Sequence, residues 1–117
     1  MIKIVLIEDD PIIRSDMAFI LTDAGYTVLK CSNGNMGITT ALKELPEVII
    51  SDINLPDMGG IEVINRLQQS DNLQNTVFII CSGSPPEEEV NSLVDGVLCK
   101  PFHPRQLIDL VKRLTKG

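Results

Sequence analysis

The chain has 117 residues, a formal net charge of −6 and 44% hydrophobic residues. This length allows one domain with its own core, and the apolar content excludes a disordered chain. The negative charge argues against direct nucleic-acid binding and against docking on anionic lipid, and no apolar run approaches the roughly 20 residues of a membrane span. We therefore expect a single domain over residues 1–117 with no membrane segment.

Short runs rich in Val, Ile and Leu alternate with helical patterns five times along the chain. Such runs are typical of buried strands in a parallel sheet. The predicted strands span residues 2–8, 26–31, 47–52, 76–81 and 96–99. The predicted helices span residues 11–24, 34–44, 59–69, 86–94 and 104–115. Five consecutive strand–helix units predict an α/β fold with helices on both faces of the sheet.

The chain has three cysteines, Cys31, Cys81 and Cys99, without the spacing of a metal site or a redox motif. An odd number of thiols at strand ends indicates a reduced, cytoplasmic protein. Each cysteine is expected to be a small, buried apolar residue. The N-terminus leads directly into a strand-like run, which is not the pattern of a signal peptide.

Three carboxylates stand at the ends of two predicted strands. Glu8 and Asp9 follow the first apolar run, and Asp52 ends the third. Parallel strands finish at the same edge of a sheet, so these acids are expected within a few ångströms of one another. Like charges that close need a cation or a raised pKa. A set of oxygen ligands alone favours a hard divalent ion, and we expect Mg2+.

Two more polar residues follow later strands. Lys100 comes after the fifth strand and adds a fixed positive charge, and Ser82 follows the fourth. Acids, a metal ion and a lysine at one sheet edge are the groups of a phosphoryl site. Taken singly, each residue also has an ordinary structural explanation. Asp52 would be an acid that opens a loop, Ser82 a turn residue and Lys100 a solvated charge.

The chain resembles the receiver domains of two-component response regulators over essentially all of its length. Four motifs, each at the end of a predicted strand, carry the resemblance: Ile7-Glu8-Asp9-Asp10-Pro11, Ser51-Asp52-Ile53-Asn54-Leu55-Pro56-Asp57-Met58-Gly59-Gly60, Cys81-Ser82-Gly83 and Lys100-Pro101-Phe102. The resemblance implies a flavodoxin-like, doubly wound (βα)5 fold. Its five-stranded parallel sheet would have the order 2-1-3-4-5, with helices on both faces.

The resemblance also implies roles for the metal ligands. Asp9 would ligate Mg2+ directly, and Glu8 would act directly or through a water molecule. The backbone carbonyl of Asn54 would be a further ligand, together with Asp52. Asp10 is peripheral and is expected to cap the helix that begins near Pro11.

The remaining site residues would act on the phosphoryl group. Asp52 would be the phosphoacceptor and form an acyl phosphate, to which Ser82 would donate a hydrogen bond. Lys100 is the third of these site residues. In the family the peptide bond between this lysine and the following proline is often cis, and the sequence alone does not decide the geometry of Lys100-Pro101. Pro56, Gly59 and Gly60 shape the loop after Asp52.

A receiver takes its phosphoryl group from a sensor histidine kinase or a phosphotransfer protein and signals to a downstream output domain or protein. His103 is the single histidine, and we expect it on the surface, so the phosphohistidine comes from a partner. Such a domain catalyses its own phosphorylation and slow dephosphorylation, but it is a switch and not a metabolic enzyme.

Two departures from the family pattern favour an alternative function. Val97 stands three residues before Lys100, where the family usually has an aromatic residue that moves with the hydroxyl residue, and valine has no such reach. The segment from Ser82 to Lys100 is also short, which reduces the fourth helix or the loop before it. The alternative is a non-phosphorylated pseudo-receiver that acts as a protein–protein interaction module.

Two other classes of protein use related sheets. A Mg2+-dependent phosphohydrolase or nuclease usually has a second acid two residues after its nucleophile, where this chain has Asn54. A flavodoxin-like FMN carrier needs a phosphate loop rich in Gly, Ser or Thr after the first strand, where this chain is acidic.

Overall fold

The computed structural model describes residues 1–116, in which five strands alternate with five α-helices. The strands are β1 Lys3–Ile7, β2 Thr27–Cys31, β3 Val48–Asp52, β4 Val77–Ser82 and β5 Gly96–Cys99. The helices are α1 Pro11–Asp23, α2 Gly34–Glu44, α3 Gly60–Gln68, α4 Glu88–Leu93 and α5 Pro104–Thr115. A 3-10 turn at Asp71–Leu73 precedes β4. None of the helices within residues 1–116 is both long enough and apolar enough to span a membrane.

The strands form one parallel sheet in the order β2-β1-β3-β4-β5. This confirms the predicted flavodoxin-like, doubly wound fold and its strand order. The chain reverses its direction of winding between β1 and β3, the switch point at which open α/β sheets bind ligands. The ends of β1 and β3 lie side by side there, with Ile7 paired to Ser51.

The core is divided by the sheet into two layers because alternate residues of a strand point to opposite faces. Ile4 and Leu6 of β1 pack against α1 and α5, while Val5 and Ile7 pack against α2 and α3. These four side chains are at most 1% exposed. Burial on both faces explains why β1 after Lys3 is a continuous apolar run instead of an alternating one.

The fourth helix differs from its prediction. It covers only Glu88–Leu93, within the predicted range 86–94, and none of its residues is buried. Pro85 and Pro86 precede it, and Val94 is already extended. Asp95 then attaches the chain to β4, because its amide donates to the Phe78 carbonyl and its carboxylate accepts from the Phe78 amide. These two hydrogen bonds direct the chain into β5.

The cysteine prediction is correct for two of the three residues. Cys31 and Cys81 are buried, and burial raises the pKa of the Cys81 thiol to about 12. Cys99 is exposed, so its predicted burial is wrong. β5 lies at the edge of the sheet, so Cys99 has a neighbouring strand, β4, on one side only.

Candidate functional site

The three predicted carboxylates converge at the carboxyl edge of the sheet. Glu8 follows β1 and Asp52 is the last residue of β3, and these strands are neighbours. One carboxylate oxygen from each of Glu8, Asp9 and Asp52 lies within 4.8 Å of the other two. The parallel register thus produces the cluster that the strand-end pattern predicts.

Lys100 lies between two of these acids. Its Nζ donates hydrogen bonds of 2.9 Å to Glu8 Oε1 and 2.9 Å to Asp52 Oδ2. The side chains are 23%, 2% and 12% exposed for Lys100, Glu8 and Asp52, so both ion pairs are largely shielded from water. The peptide bond from Lys100 to Pro101 is cis. Shielded ion pairs with good hydrogen-bond geometry fix the relative positions of β1, β3 and the residue after β5.

Burial and charge change the proton affinities of this ion-pair network. Burial raises the pKa of the Glu8 carboxyl above its usual value, and the hydrogen bonds from Lys100 and the Asp10 amide only partly offset that effect. Burial alone would lower the pKa of Lys100, but its hydrogen bonds to Asp52 and Glu8, together with the negative charges of these two acids, outweigh burial and raise it. Lys100 is therefore a permanent positive charge beside Asp52.

The loop between β1 and α1 is held by several hydrogen bonds. The amide of Asp10 donates to Glu8 Oε2 at 3.1 Å, which orients that carboxylate. Asp10 Oδ1 accepts from the amides of Ile12 and Ile13 at 2.9 and 3.1 Å. The prediction that Asp10 caps α1 is confirmed, and the cap fixes the point at which the helix leaves the site.

Arg14, near the start of α1, also holds this loop, a contact that was not predicted from the sequence. Its Nη1 donates to the backbone carbonyl of Glu8 at 2.7 Å and to that of Asp9 at 3.3 Å. A basic residue in the first turns of a helix is disfavoured by the helix dipole. That unfavourable placement is the sequence signal that could have indicated a specific contact.

The loop after Asp52 turns back on itself. The Asn54 amide donates to Asp52 Oδ1 at 3.2 Å, and Asn54 forms an isolated antiparallel bridge with Gly59. Gly60 packs directly against the carbonyl of Asp52. The Asp52 carboxylate therefore accepts one hydrogen bond on each oxygen, from Asn54 and from Lys100.

Asp57 anchors the far side of this loop, a contact that was not predicted from the sequence. Its two carboxylate oxygens accept hydrogen bonds of 2.8 Å from the amides of Gly34 and Asn35, in the first turn of α2. These hydrogen bonds lower the pKa of Asp57. An acid and two amides so far apart in sequence form no local pattern, so only the folded chain reveals the contact.

Ser82 is buried at the end of β4, and its hydroxyl is bonded within its own loop. Ser82 Oγ donates to the carbonyl of Ser84 at 2.6 Å and accepts from the Ser84 amide at 3.3 Å. The carbonyl of Ser82 accepts from the Lys100 amide at 2.7 Å, which ties the loop after β4 to the loop after β5. His103 is exposed, as predicted, and caps α5 through Nδ1.

The donor set fits a hard divalent cation. Glu8, Asp9 and Asp52 contribute three carboxylates, while Lys100 is the single cation that contacts them among the described residues. Asp9 is exposed, so one side of the cluster is open to solvent. Oxygen ligands with an uncompensated negative charge and an open side are the arrangement that Mg2+ and similar ions bind.

The sequence matches the response regulator receiver domain over residues 4–112. The chain belongs to this family. Receiver domains act in two-component systems, in which they interact with histidine kinases and output domains. The CheY-like fold and the acid cluster at the edge of its sheet are thus placed within a known class of signalling domain.

The relatives of this receiver domain include regulatory proteins of greater length. It is 30% identical to the alkaline phosphatase synthesis transcriptional regulatory protein PhoP of Bacillus subtilis, a match that covers 97% of this chain and 48% of PhoP. The chain thus spans about half the length of PhoP. It is 24% identical to the chemotaxis protein CheY of Thermotoga maritima, over 97% of this chain and 98% of CheY.

Solved structures show the same fold. The receiver domain superposes on the chemotaxis response regulator CheY4 of Vibrio cholerae with a TM-score of 0.92 and 29% identity, over 97% of this chain and 98% of CheY4. The response regulator TrrA of Thermotoga maritima, solved in complex with Mg2+-BeF, gives a TM-score of 0.88 at 23% identity, over 97% of this chain and 99% of TrrA. At 23% identity, the similarity to TrrA is evidence for the fold alone.

Proposed function

We propose that this receiver domain is a phosphoacceptor switch of a two-component phosphorelay. A sensor histidine kinase or phosphotransfer protein supplies the phosphoryl group, Asp52 receives it in the presence of Mg2+, and the domain changes conformation to signal downstream. The domain spans residues 1–117, acts in the cytoplasm and is a switch instead of a metabolic enzyme. Its free thiols are consistent with a reducing compartment.

The observation that carries the proposal is the arrangement around Asp52. Its carboxylate lies in a cluster with those of Glu8 and Asp9, and its Oδ2 accepts a hydrogen bond of 2.9 Å from Lys100. A structural ion pair alone needs one acid for one lysine, and this cluster has three acids. The surplus of negative charge is explained by a site that binds a cation.

Glu8, Asp9, Asp52 and the backbone carbonyl of Asn54 are the residues that would hold Mg2+. When bound, the ion neutralises the oxygens of the phosphoryl group during transfer. The Asp10 amide and Lys100 hold the Glu8 carboxylate in place, so part of the ligand set is already oriented. Orientation before binding reduces the entropy lost when the site is filled.

Asp52 is the nucleophile of the proposed transfer. One of its carboxylate oxygens forms the new bond to phosphorus, while the bond from phosphorus to the partner's histidine nitrogen breaks and the imidazole keeps the electron pair. The positive charge of Lys100 lies beside the oxygens on which negative charge collects. The Ser82 hydroxyl donates a hydrogen bond to the acyl phosphate once its hydrogen bond to the Ser84 carbonyl is broken.

The test is the intact mass of the protein after incubation with acetyl phosphate, with Mg2+ and with EDTA. Wild type should gain one phosphoryl group, about 80 Da, only with Mg2+, and hydroxylamine should remove it. Asp52→Asn should gain nothing while keeping its circular dichroism spectrum. Asp109→Asn, on an exposed turn of α5, is the matched control and should be labelled like wild type. Full labelling of Asp52→Asn would refute the assignment.

The pseudo-receiver remains the second candidate because of two features near the output side of the fold. α4 has only six residues, and Val97 replaces the aromatic residue expected by resemblance. A pseudo-receiver would show no adduct with acetyl phosphate or with a cognate kinase, and it would not bind Mg2+ at millimolar concentration. Mg2+ binding together with an adduct on Asp52 excludes it.

A further inference from the structure

The carboxylate of Asp9 differs from its two neighbours in how it is held. Glu8 accepts hydrogen bonds from Lys100 and the Asp10 amide, and Asp52 accepts from Lys100 and the Asn54 amide. Within residues 1–116, the exposed carboxylate of Asp9 accepts no hydrogen bond. The direction of this side chain therefore depends on the backbone to which it is attached.

That backbone lies in a gap between two regular elements. The Glu8 amide still donates to Cys31 at 3.0 Å and thus continues the sheet, and the carbonyl of Asp10 accepts the first helical bond of α1 from the Arg14 amide at 2.9 Å. The carbonyls of Glu8 and Asp9 come between these points, beyond the sheet and before the helix. Backbone carbonyls in such a gap need a partner from a side chain or from water.

Arg14 provides that partner. A side chain in the first turns of a helix points back toward the N-terminus, which brings the Arg14 guanidinium to the loop that precedes α1. Its Nη1 contacts both carbonyls, at 2.7 Å for Glu8 and 3.3 Å for Asp9. The Glu8 carbonyl belongs to the peptide unit between Glu8 and Asp9, and the Asp9 carbonyl belongs to the unit between Asp9 and Asp10. Arg14 therefore contacts the peptide units on both sides of Asp9.

We propose that Arg14 is a positioning residue for the metal site: by fixing the peptide units on both sides of Asp9, it aims the Asp9 carboxylate at the cation. The inference rests on the proposed function, since it concerns the same ligand set. Arg14 touches neither the reacting atoms nor the carboxylates in the described structure, and it acts through the backbone of Asp9. Replacing a residue that orients a metal ligand typically weakens metal affinity by about 10- to 100-fold.

The sign of the effect separates positioning from simple electrostatics. A guanidinium next to the acid cluster repels a divalent cation, so an Arg14 that acted through its charge alone would weaken Mg2+ binding. Removing it would then tighten binding. If Arg14 acts by orienting Asp9, removing it weakens binding in spite of the lost repulsion.

The experiment is calorimetric titration of MgCl2 into wild type, Arg14→Ala, Arg14→Lys and Arg66→Ala at constant ionic strength. Arg66 forms an exposed ion pair with Glu62 on α3, so its removal changes the net charge equally without touching the site. We expect an Mg2+ Kd on the order of tenfold higher for Arg14→Ala than for wild type. Arg14→Lys should be intermediate, because an ammonium lacks the rigid guanidinium plane. Arg66→Ala should match wild type.

Thermal unfolding in EDTA accompanies each titration and reports the stability of the metal-free fold. If Arg14→Ala binds Mg2+ as tightly as wild type, or more tightly, the positioning role is overturned. If Arg14→Ala does not fold, Arg14→Lys decides, and a wild-type Kd in that variant overturns the role. Wild-type protein that neither binds Mg2+ nor gains a phosphoryl group would instead refute the proposed function, a failure that is visible before any Arg14 variant is compared.

Discussion

Asp57 accepts a 2.8 Å hydrogen bond from the amide of Gly34, across a separation of 23 residues. A second bond, from the Asn35 amide, joins the other carboxylate oxygen to the same helix turn. The loop that carries Asp52 at its start is therefore attached to the N-terminus of α2. A negative charge at this position is favoured by the helix dipole as well as by the free amides.

The first prediction concerns the pH dependence of this contact. The pKa of Asp57 is lowered from 3.8 by the hydrogen bonds from Asn35 and Gly34. A carboxyl with a lower pKa in the folded state stabilises the fold above its unfolded pKa, and this contribution disappears as the pH falls through the folded pKa. Asp57→Asn should thus unfold at lower urea concentration than wild type at pH 7, and the difference should shrink below about pH 4.

Urea unfolding of both proteins between about pH 7 and pH 2.5 measures this difference. Asp109→Asn removes an exposed carboxylate from α5 and should show no comparable change. A gap between wild type and Asp57→Asn that stays constant down to the lowest pH would contradict the assigned role of the ionised carboxylate.

The second prediction is that the site lowers the stability of the metal-free domain. A carboxylate oxygen of Asp9 lies within 4.8 Å of carboxylate oxygens of Glu8 and Asp52. Among the described residues, Asp9 has no cationic partner. Asp9→Asn should raise the free energy of unfolding in EDTA by about 1 kcal/mol, the repulsion of two charges at this distance in water. The same variant should lose Mg2+ binding. A gain in stability that goes with a loss of function is common at sites where function requires like charges close together.

Chemical unfolding in EDTA and in millimolar MgCl2 tests both halves of this prediction. Wild type should be stabilised by Mg2+ and Asp9→Asn should not, because only a folded site binds the ion. Equal or lower stability of Asp9→Asn in EDTA would mean that the cluster is not strained by repulsion.

The fold and most of the site could be predicted from the sequence because both depend on short-range patterns. β1 is apolar from Ile4 to Ile7 because these residues are buried on both faces of the sheet, and parallel strands then deliver Glu8, Asp52 and Lys100 to one edge. Which of these strands lie next to each other depends on the strand order, and that order was predicted from the resemblance to the receiver family. The Asp10 cap was equally visible, as a short acid directly before Pro11.

The contacts that the sequence did not reveal depend on bonds between side chains and distant backbone. Arg14 and Asp57 contact carbonyls and amides, which nearly every residue possesses, so no pattern marks the partner. The end of α4 is a similar case, since Asp95 pairs with Phe78 on β4 and draws the chain into β5. Tertiary contacts of this kind override the local helix pattern.

The third prediction compares two adjacent glycines in the loop after Asp52. A Cβ on Gly60 would collide with the backbone carbonyl of Asp52, whereas a Cβ on Gly59 would have its nearest neighbour at 4.0 Å. Backbone atoms cannot rotate away as a side chain does, so Gly60→Ala should cost about 2 kcal/mol of stability and displace Asp52. Gly59→Ala should cost less than about 1 kcal/mol, because its φ of −72° suits alanine.

Urea unfolding and the rate of labelling by acetyl phosphate distinguish the two variants. Gly60→Ala should be slower in labelling even at temperatures where it is fully folded, and Gly59→Ala should label like wild type. Similar losses in both would show that the loop as a whole, and not the approach of Gly60 to Asp52, sets the geometry.

The last prediction concerns how the switch moves without an aromatic residue at Val97. In the described structure Ser82 Oγ is bonded to Ser84, so it must leave Ser84 before it can bond a phosphoryl oxygen. Addition of beryllofluoride with Mg2+, which mimics the acyl phosphate, should therefore produce the largest amide shifts at Ser82 and Ser84 in nuclear magnetic resonance spectra. Val97, β-branched and short, should shift little. Beryllofluoride without Mg2+ is the control and should leave the spectrum unchanged. A large shift at Val97 with an unchanged Ser84 amide would show that the signal travels through β5 and not through the loop after β4.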